Sequence, residues 1–192
     1  MFDLLYNKIS SLTPVTDEEF ETIKTFFMPK KFRKRQFLVQ AEEECKYLAF
    51  VERGILRSYT IDARGNEHVV QFAFEGWWIS DLFGFFTGEP ATFSIDVIEN
   101  TEALILTHAN LEKMFVAVPK LERFFRILIQ NSYVALQRRM VGTLTLCAEE
   151  RYMRLISHSP DIATRIPQHM VASYLGVTPE TLSRIRKHVL VK

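Results

Sequence analysis

The feature that most restricts the fold is a stretch near the end of the chain, residues 166–189, which predicts two short helices joined by a tight turn. The first helix has an apolar face at helical spacing. That face consists of Met170, Val171, Tyr174 and Leu175. Gly176 favours a helix end, because glycine enters the left-handed conformation without a Cβ clash. Thr178 is a good N-cap and Pro179 a good first helical residue, so the second helix is predicted to begin there.

The predicted second helix is amphipathic, with an apolar inner face formed by Leu182, Ile185 and Val189. Its outer face carries charged and hydrogen-bonding side chains. These are Glu180, Ser183, Arg184, Lys187 and His188. A helix with a dry inner face and such an outer face suits the major groove of DNA.

Charge is unevenly distributed along the chain, although the net charge is only +1. Residues 138–192 contain 9 Lys/Arg against 4 Asp/Glu, whereas residues 1–137 contain 15 against 19. A basic C-terminal part joined to an acidic N-terminal part is typical of a nucleic-acid-binding module attached to a different domain. The same asymmetry also fits a chance clustering of charges on a solvated surface.

Composition argues against several classes of protein. No uninterrupted apolar run is long enough to span a bilayer, so no membrane protein is expected. The N-terminus has an early acid and no basic segment before an apolar run, so no signal peptide is expected. Cys45 and Cys147 are far apart in sequence and form no disulfide framework, which fits a reducing, cytoplasmic location.

Residues 3–28 follow a helical pattern. Thr16 and Glu19 have the spacing of a capping box, and Pro29 is expected to end the helix. The basic run at residues 30–35 is predicted to be a solvated strand edge or turn, because a strand follows it at once and lysine guards against edge pairing.

Residues 36–107 change to an apolar period of two, which predicts strands. The predicted strands include residues 47–51 and 55–61 around a turn at Arg53-Gly54, and residues 95–98 and 103–106 around a turn at residues 99–102. Several short strands with regular turns predict an antiparallel barrel or jelly roll.

An irregular aromatic segment, residues 76–92, interrupts these strands. Gly76, Gly84 and Gly88 would allow a loop and a short helix to line a ligand pocket. A hydrophobic plug that closes the barrel is an equal alternative.

The longest helical pattern covers residues 121–144 and has a wide apolar stripe. One side of this helix can cover the barrel, which leaves a seam for a partner helix. The seam consists of Ile129, Tyr133, Leu136 and Met140. A two-stranded coiled coil between two copies of the chain is the predicted use, and a helix buried within one chain is the alternative.

This order of elements resembles the Crp–Fnr family of bacterial transcription regulators over nearly the whole chain. The most specific part is ASYLGVTPETLSR at residues 172–184, which is similar to the family's helix, LG turn and E-T-x-S-R recognition helix. The resemblance implies an α+β fold in three parts. They are a cyclic-nucleotide-binding-like double-stranded β-helix (jelly-roll) sensor barrel over residues 1–118, a long dimerisation helix over residues 119–146 and a C-terminal (winged) helix-turn-helix over residues 147–192.

By position, the resemblance implies that Glu180, Ser183 and Arg184 read DNA bases. The chemistry agrees, because a carboxylate accepts a hydrogen bond from cytosine N4 and an arginine donates two to guanine O6 and N7. Side chains implied to hold phosphates and position the helix are Gln168, Thr178, Thr181 and Lys187. The implied partners are double-stranded DNA with a palindromic operator, a second copy of the chain, RNA polymerase and an unidentified small-molecule effector.

The sensor departs from the pattern of cyclic-nucleotide-binding members. The candidate effector pocket comprises Gly76, Ser80, Asp81, Leu82, Ala91 and Thr92. Such members have a Gly-Glu pair and an Arg-Ser/Thr pair, which correspond here to Ser80-Asp81 and Ala91-Thr92. The arginine that neutralises the cyclic phosphate is missing, and a phosphate buried without a cation is costly. Cyclic AMP is therefore not the expected effector.

Cofactors and catalysis have little support in the sequence. Two cysteines cannot hold the four-cysteine iron–sulfur cluster of oxygen-sensing members, and neither His68 nor Cys45 alone defines a haem site. The five histidines are too scattered for a cupin-type metal site, and no Gly-x-Ser-x-Gly, Walker or dinucleotide motif is present. We expect no enzyme, metal or cofactor. The alternative is a ligand- or protein-binding barrel whose helix-turn-helix no longer binds DNA, since little chain follows the second helix to form a wing.

Overall fold

The structure, a computed structural model, describes residues 2–190. Its internal contacts divide the chain into two compact units. The first, called the sheet unit, comprises Met1–Thr60 and Gln71–Gln130, and the second, called the C-terminal unit, comprises Ile61–Val70 and Asn131–Lys192. The predicted α+β class is confirmed.

The strands within residues 2–190 form one six-stranded sheet. They are β1 (Met28–Phe32), β2 (Phe37–Val39), β3 (Tyr47–Ile61), β4 (Glu67–Ala73), β5 (Trp78–Ile79) and β6 (Ser94–Thr107). The order is β1-β6-β3-β4, with β2 paired to β6 and β5 paired to β3. The β1–β6, β2–β6, β3–β5 and β3–β6 pairs are antiparallel, as expected for a jelly roll.

Two strands are longer than the sequence predicts. The predicted turns at Arg53-Gly54 and at residues 99–102 are wrong, because β3 and β6 pair continuously past both segments with a shift of register. Gly54 makes this possible with a φ of 95°, and a Cβ atom there would lie 2.4 Å from Thr101 Oγ1. The glycine and the polar residues opposite it form a bulge, which bends a strand without ending it.

The N-terminal helices are α1 (Asp3–Ser10) and α2 (Asp17–Lys24). The capping box is confirmed, since Glu19 N donates to Thr16 Oγ1 at 3.2 Å and Thr16 N donates to Glu19 Oε2 at 2.7 Å. The prediction that Pro29 ends a helix is wrong, because the residue lies within β1 opposite Leu104. Proline is tolerated on an edge strand, because no neighbouring strand on the outer side needs a hydrogen bond from its missing N–H. The basic run continues from β1 as an exposed strand edge and turn, as predicted.

Aromatic and aliphatic side chains fill the core of the sheet unit. The Trp78 ring lies 5.0 Å from that of Phe50 and 5.3 Å from that of Phe125, measured between centroids. Phe125 belongs to α5 (Leu121–Thr145), whose first turns cover this core together with α4 (His108–Ala117). The segment at residues 76–92 contributes to the core through β5 and through Phe85 on α3 (Leu82–Thr87).

The C-terminal unit contains the remainder of α5 and four further helices among the described residues. They are α6 (Ala148–His158), α7 (Ile162–Arg165), α8 (Gln168–Leu175) and α9 (Pro179–Leu190). The predicted helix-turn-helix is present as α8 and α9. No strand follows β6 within residues 2–190, so the described part of this module has no wing, and Val191 and Lys192 lie outside that range.

Candidate nucleic-acid interface and effector region

A glycine-centred turn joins α8 to α9. Gly176 is the C-cap of α8 and has a left-handed conformation with a φ of 67°. Val177 N donates a hydrogen bond to Ala172 O at 3.0 Å, which satisfies a carbonyl group in the last turn of α8. Thr178 then caps α9, because its Oγ1 accepts a hydrogen bond from Thr181 N at 3.3 Å. Both helix boundaries predicted from these residues are confirmed.

The two faces of α9 differ sharply in exposure. On the inner face Leu182 is 0% exposed and Ile185 is 9% exposed. The exposed residues of the outer face are Glu180, Arg184, Lys187 and His188, and Ser183 is partly buried beside them. Burial of the inner face fixes the rotation of α9, so the three predicted base-reading residues lie on the solvent side.

Glu180 and Arg184 interact along one side of α9. The Glu180 carboxylate accepts hydrogen bonds from its own backbone N–H and from the Thr178 hydroxyl, and these hold the pKa of Glu180 below its usual value. The positive charge of Arg184 lowers this pKa further. Glu180 is therefore ionised at neutral pH and can act only as an acceptor. Arg184, one turn further along, supplies donors only.

The residues predicted to contact phosphates lie on the same helix pair. Gln168 is the first residue of α8 and is exposed. The hydroxyls of Thr178 and Thr181 lie 3.2 Å apart at the start of α9, and Lys187 is exposed in its last turns. The N-terminus of α9, with its positive helix-dipole end, thus carries hydroxyl groups suited to phosphate oxygens.

Helix α5 carries the predicted seam on its surface. Ile129 is 45% exposed, Tyr133 is 64% exposed, and both Leu136 and Met140 are 59% exposed. Val134, Val141 and Leu144 on the same helix are exposed as well. The alternative of a helix buried within one chain is thus wrong for this part of α5, which leaves a large apolar surface in water.

The candidate effector residues are only partly brought together. Asp81 is bonded to Thr92, with its carboxylate 2.7 Å from the Thr92 hydroxyl, and Ala91 is buried next to this pair. Ser80 instead donates to Tyr47 O at 2.9 Å. Gly76 lies in a turn before β5, and Leu82 is 42% exposed on α3.

Comparison with known proteins shows which family the chain resembles. Residues 29–117 match the family model described as the cyclic nucleotide-binding domain. The Fumarate and nitrate reduction regulatory protein of Vibrio cholerae is 27% identical over 172 residues, which cover 81% of this chain. The chain is thus similar to regulators of the Crp–Fnr family. It spans 66% of the length of that curated relative.

Solved structures share the fold of this chain. FixK2 from Bradyrhizobium japonicum superposes with a TM-score of 0.71 at 19% identity, over 86% of this chain and 85% of that one. The catabolite activator protein of Thermus thermophilus gives a TM-score of 0.58 at 17% identity, over 92% of this chain and 84% of that one. The curated relative is named a regulatory protein, and no enzyme family is indicated by these matches.

Two residues that sequence reasoning missed hold α8 in place. Ser173 Oγ accepts from Val69 N at 2.9 Å and donates to Glu67 O at 2.6 Å, so it binds the β3–β4 hairpin at the start of β4. Arg139 on α5 donates to Val69 O and to Tyr174 O, each at 3.2 Å, and its guanidinium lies 4.0 Å from the centroid of the Tyr174 ring. No sequence pattern marks these contacts, because each joins segments far apart in the chain.

Other kinds of site are not evident in the described part of this chain. Among residues 2–190, no three or more His, Cys, Asp or Glu side chains are grouped so that they could hold a metal ion. None of the helices described there combines the length and the apolarity that crossing a bilayer requires. Cys45 is buried and Cys147 is exposed, and both are free thiols.

Proposed function

We propose that this chain is a sequence-specific DNA-binding transcription regulator that acts as a homodimer on a palindromic operator. The observation that carries the proposal is the solvent face of α9, where Glu180 and Arg184 lie one turn apart above the buried Leu182 and Ile185. An α-helix with this arrangement fits the major groove, where each base pair presents a distinct pattern of donors and acceptors.

Each predicted contact follows from the chemistry of its side chain. Arg184 would donate two hydrogen bonds to guanine O6 and N7, and Glu180 would accept one from cytosine N4. Ser183 can pair with either kind of group. Gln168, whose exposed amide opens α8, would donate to a phosphate oxygen and so fix the register of α9 in the groove.

Dimerisation through α5 supplies the symmetry that a palindrome requires. Two copies of α5 that pack along Ile129, Tyr133, Leu136 and Met140 would bury the apolar surface now exposed on each. A two-fold axis along this seam would put one α9 on each half-site, about one helical turn of DNA apart.

The control of this regulator involves RNA polymerase as a further partner and an effector other than cyclic AMP. The position that the family resemblance assigns to the phosphate-binding arginine is Ala91, which is 3% exposed and carries no charge. A buried phosphate at this place would lack a cation.

The test is the substitution Arg184→Ala, measured by the affinity for a selected operator at fixed salt. Loss of a bidentate base contact is expected to weaken specific binding by about 1–3 kcal/mol and to relax the preference at one base pair per half-site. Arg123→Ala removes the same charge from an exposed position near the start of α5 and serves as the matched control. Equal affinities of the Arg184→Ala variant and the parent for the operator would refute the role of Arg184.

A further inference from the structure

The carboxylate of Asp81 lies inside the sheet unit, with the residue 0% exposed. Its Oδ1 accepts a hydrogen bond from Gly84 N at 2.8 Å. Its Oδ2 accepts three, from Thr92 N at 2.8 Å, Thr92 Oγ1 at 2.7 Å and Phe93 N at 2.9 Å. Three backbone N–H groups and one hydroxyl therefore converge on a single buried anion.

These donors come from two separate segments of the chain. Gly84 lies in α3, whereas Thr92 and Phe93 lie in the loop before β6. The segments are in close contact, since a Cβ atom at Gly84 would lie 2.9 Å from Glu89 O and 3.4 Å from Ala91 Cα. Successive backbone N–H groups that point at one place are a common means of binding an anion in proteins. Here the anion belongs to the chain itself.

We propose that Asp81 is a built-in anion, which takes up the donors that this region could offer to a ligand and thereby excludes effectors that carry a phosphate. The role of Asp81 deepens the proposed function, because it concerns the class of effector that could control the regulator. Only this consequence for control rests on the proposed function. The cyclic nucleotide-binding domain of this regulator would then be held in its folded form by its own carboxylate.

The electrostatics support an ionised Asp81. Burial alone would raise the pKa of this carboxyl, but hydrogen bonds from Gly84 N, the Thr92 hydroxyl and Phe93 N outweigh burial and leave the pKa below its usual value. A phosphate that entered the same place would have to displace this carboxylate or lie beside it as a second buried negative charge. Either outcome is costly in an interior of low dielectric constant.

Ala91, next to the donors, provides neither a free hydrogen-bond donor nor a charge for a phosphate. Its N–H donates to Glu43 O at 2.8 Å, and its carbonyl accepts from Glu42 N at 2.8 Å. Its methyl group brings no charge. Both backbone groups of Ala91 are thus already paired within the chain, as are the N–H groups that donate to Asp81.

The first experiment removes the carboxylate and then returns it as a small ion. Asp81→Ala leaves four donors without their acceptor, so the melting temperature of the sheet unit should fall by about 5–15 °C in the full chain. Formate, which resembles the missing carboxylate, should raise the melting temperature of this variant by about 3 °C relative to chloride at equal ionic strength. The parent should respond equally to the two salts.

Asp62→Ala is the matched control. The Asp62 carboxylate also accepts several hydrogen bonds, including those from Arg64 N at 2.8 Å and Asn66 N at 3.0 Å, but it lies in a surface loop. Water can replace this carboxylate, so formate should act on the Asp62→Ala variant no more than chloride does. An Asp81→Ala variant that keeps the parent's melting temperature, or that responds equally to formate and chloride, overturns the proposal.

The second experiment needs no variant and decides the matter if Asp81→Ala does not fold. Cyclic AMP and inorganic phosphate are titrated separately into the parent protein without DNA, with heat and the amide resonances of Gly84, Thr92 and Phe93 as readouts. No saturable binding is expected up to about 1 mM ligand, a concentration at which a specific site would be filled. Saturable binding that shifts these amides would overturn the role of Asp81. It would leave the proposed DNA reading untouched, because no DNA is present.

Discussion

Substitution of the α5 seam tests the proposed dimer most stringently. In the double variant Leu136→Glu/Met140→Glu, two side chains that are each 59% exposed in one chain become charged. Complete burial of such a side chain is worth about 1.5–3 kcal/mol, so covering the exposed fraction contributes about 1–2 kcal/mol per residue per chain.

The dimer contains each residue twice, so the lost burial amounts to about 4–8 kcal/mol before any charge repulsion. Every 1.4 kcal/mol is about a tenfold change in a dissociation constant. The variant should therefore dimerise about three to six orders of magnitude more weakly than the parent. It should sediment as a monomer at micromolar concentration.

Sedimentation velocity over a concentration series measures this change directly. Val116→Glu is the control, because Val116 is 83% exposed and belongs to α4 rather than to the helix that carries the seam. It should leave the dimer intact. A Leu136→Glu/Met140→Glu variant that remains a dimer at micromolar concentration, with its far-ultraviolet circular dichroism unchanged, would show that α5 is not the dimer interface.

Three further predictions concern the fold around these sites. Gly54→Ala should destabilise the sheet unit by at least about 2 kcal/mol in chemical denaturation, because its φ of 95° and the 2.4 Å approach of a Cβ to Thr101 Oγ1 both oppose a side chain. Ser173→Ala should increase hydrogen exchange at the Val69 amide, whose acceptor it removes, while exchange in the strands of the sheet unit stays unchanged. Asp62 has a pKa lowered by hydrogen bonds from His68 and Asn66, so its contribution to stability is present above the unfolded pKa of about 4 and is lost as the pH falls below it. Asp62→Asn should remove that part of the acid dependence, as measured by melting temperature between about pH 6 and pH 3.

The helix-turn-helix could be predicted from sequence because its determinants are local. Gly176 ends one helix and Thr178 begins the next through contacts within three to five residues of each. The burial of Leu182 and Ile185 then follows from helical periodicity alone. The seam of α5 could be predicted for the same reason, since a stripe at helical spacing extends beyond what the core covers.

The sheet was harder to predict, because pairing between distant segments overrides local turn signals. Arg53-Gly54 has the composition of a turn, but the partner strand β6 continues alongside and converts it into a bulge. Pro29 looks like a helix end until its place on an edge strand is known.

The effector region could be predicted only in part from sequence, for the same reason. The sequence places Asp81 and Thr92 in one candidate pocket, but it cannot show that the Asp81 carboxylate turns inward and bonds to Thr92 itself. That orientation depends on two segments brought together by the fold. The contacts of Arg139 with the β3–β4 hairpin could not be predicted from sequence either, because an arginine on a helix usually faces water.

Selection of bound sequences from a random DNA pool by the full chain is the most direct test of the proposed sequence-specific binding as a dimer. We expect enrichment of a two-fold symmetric site whose half-sites are centred about 10 base pairs apart and contain G·C pairs for Arg184 and Glu180. Enrichment of no sequence, or of a single unsymmetrical site bound by one chain, would contradict it.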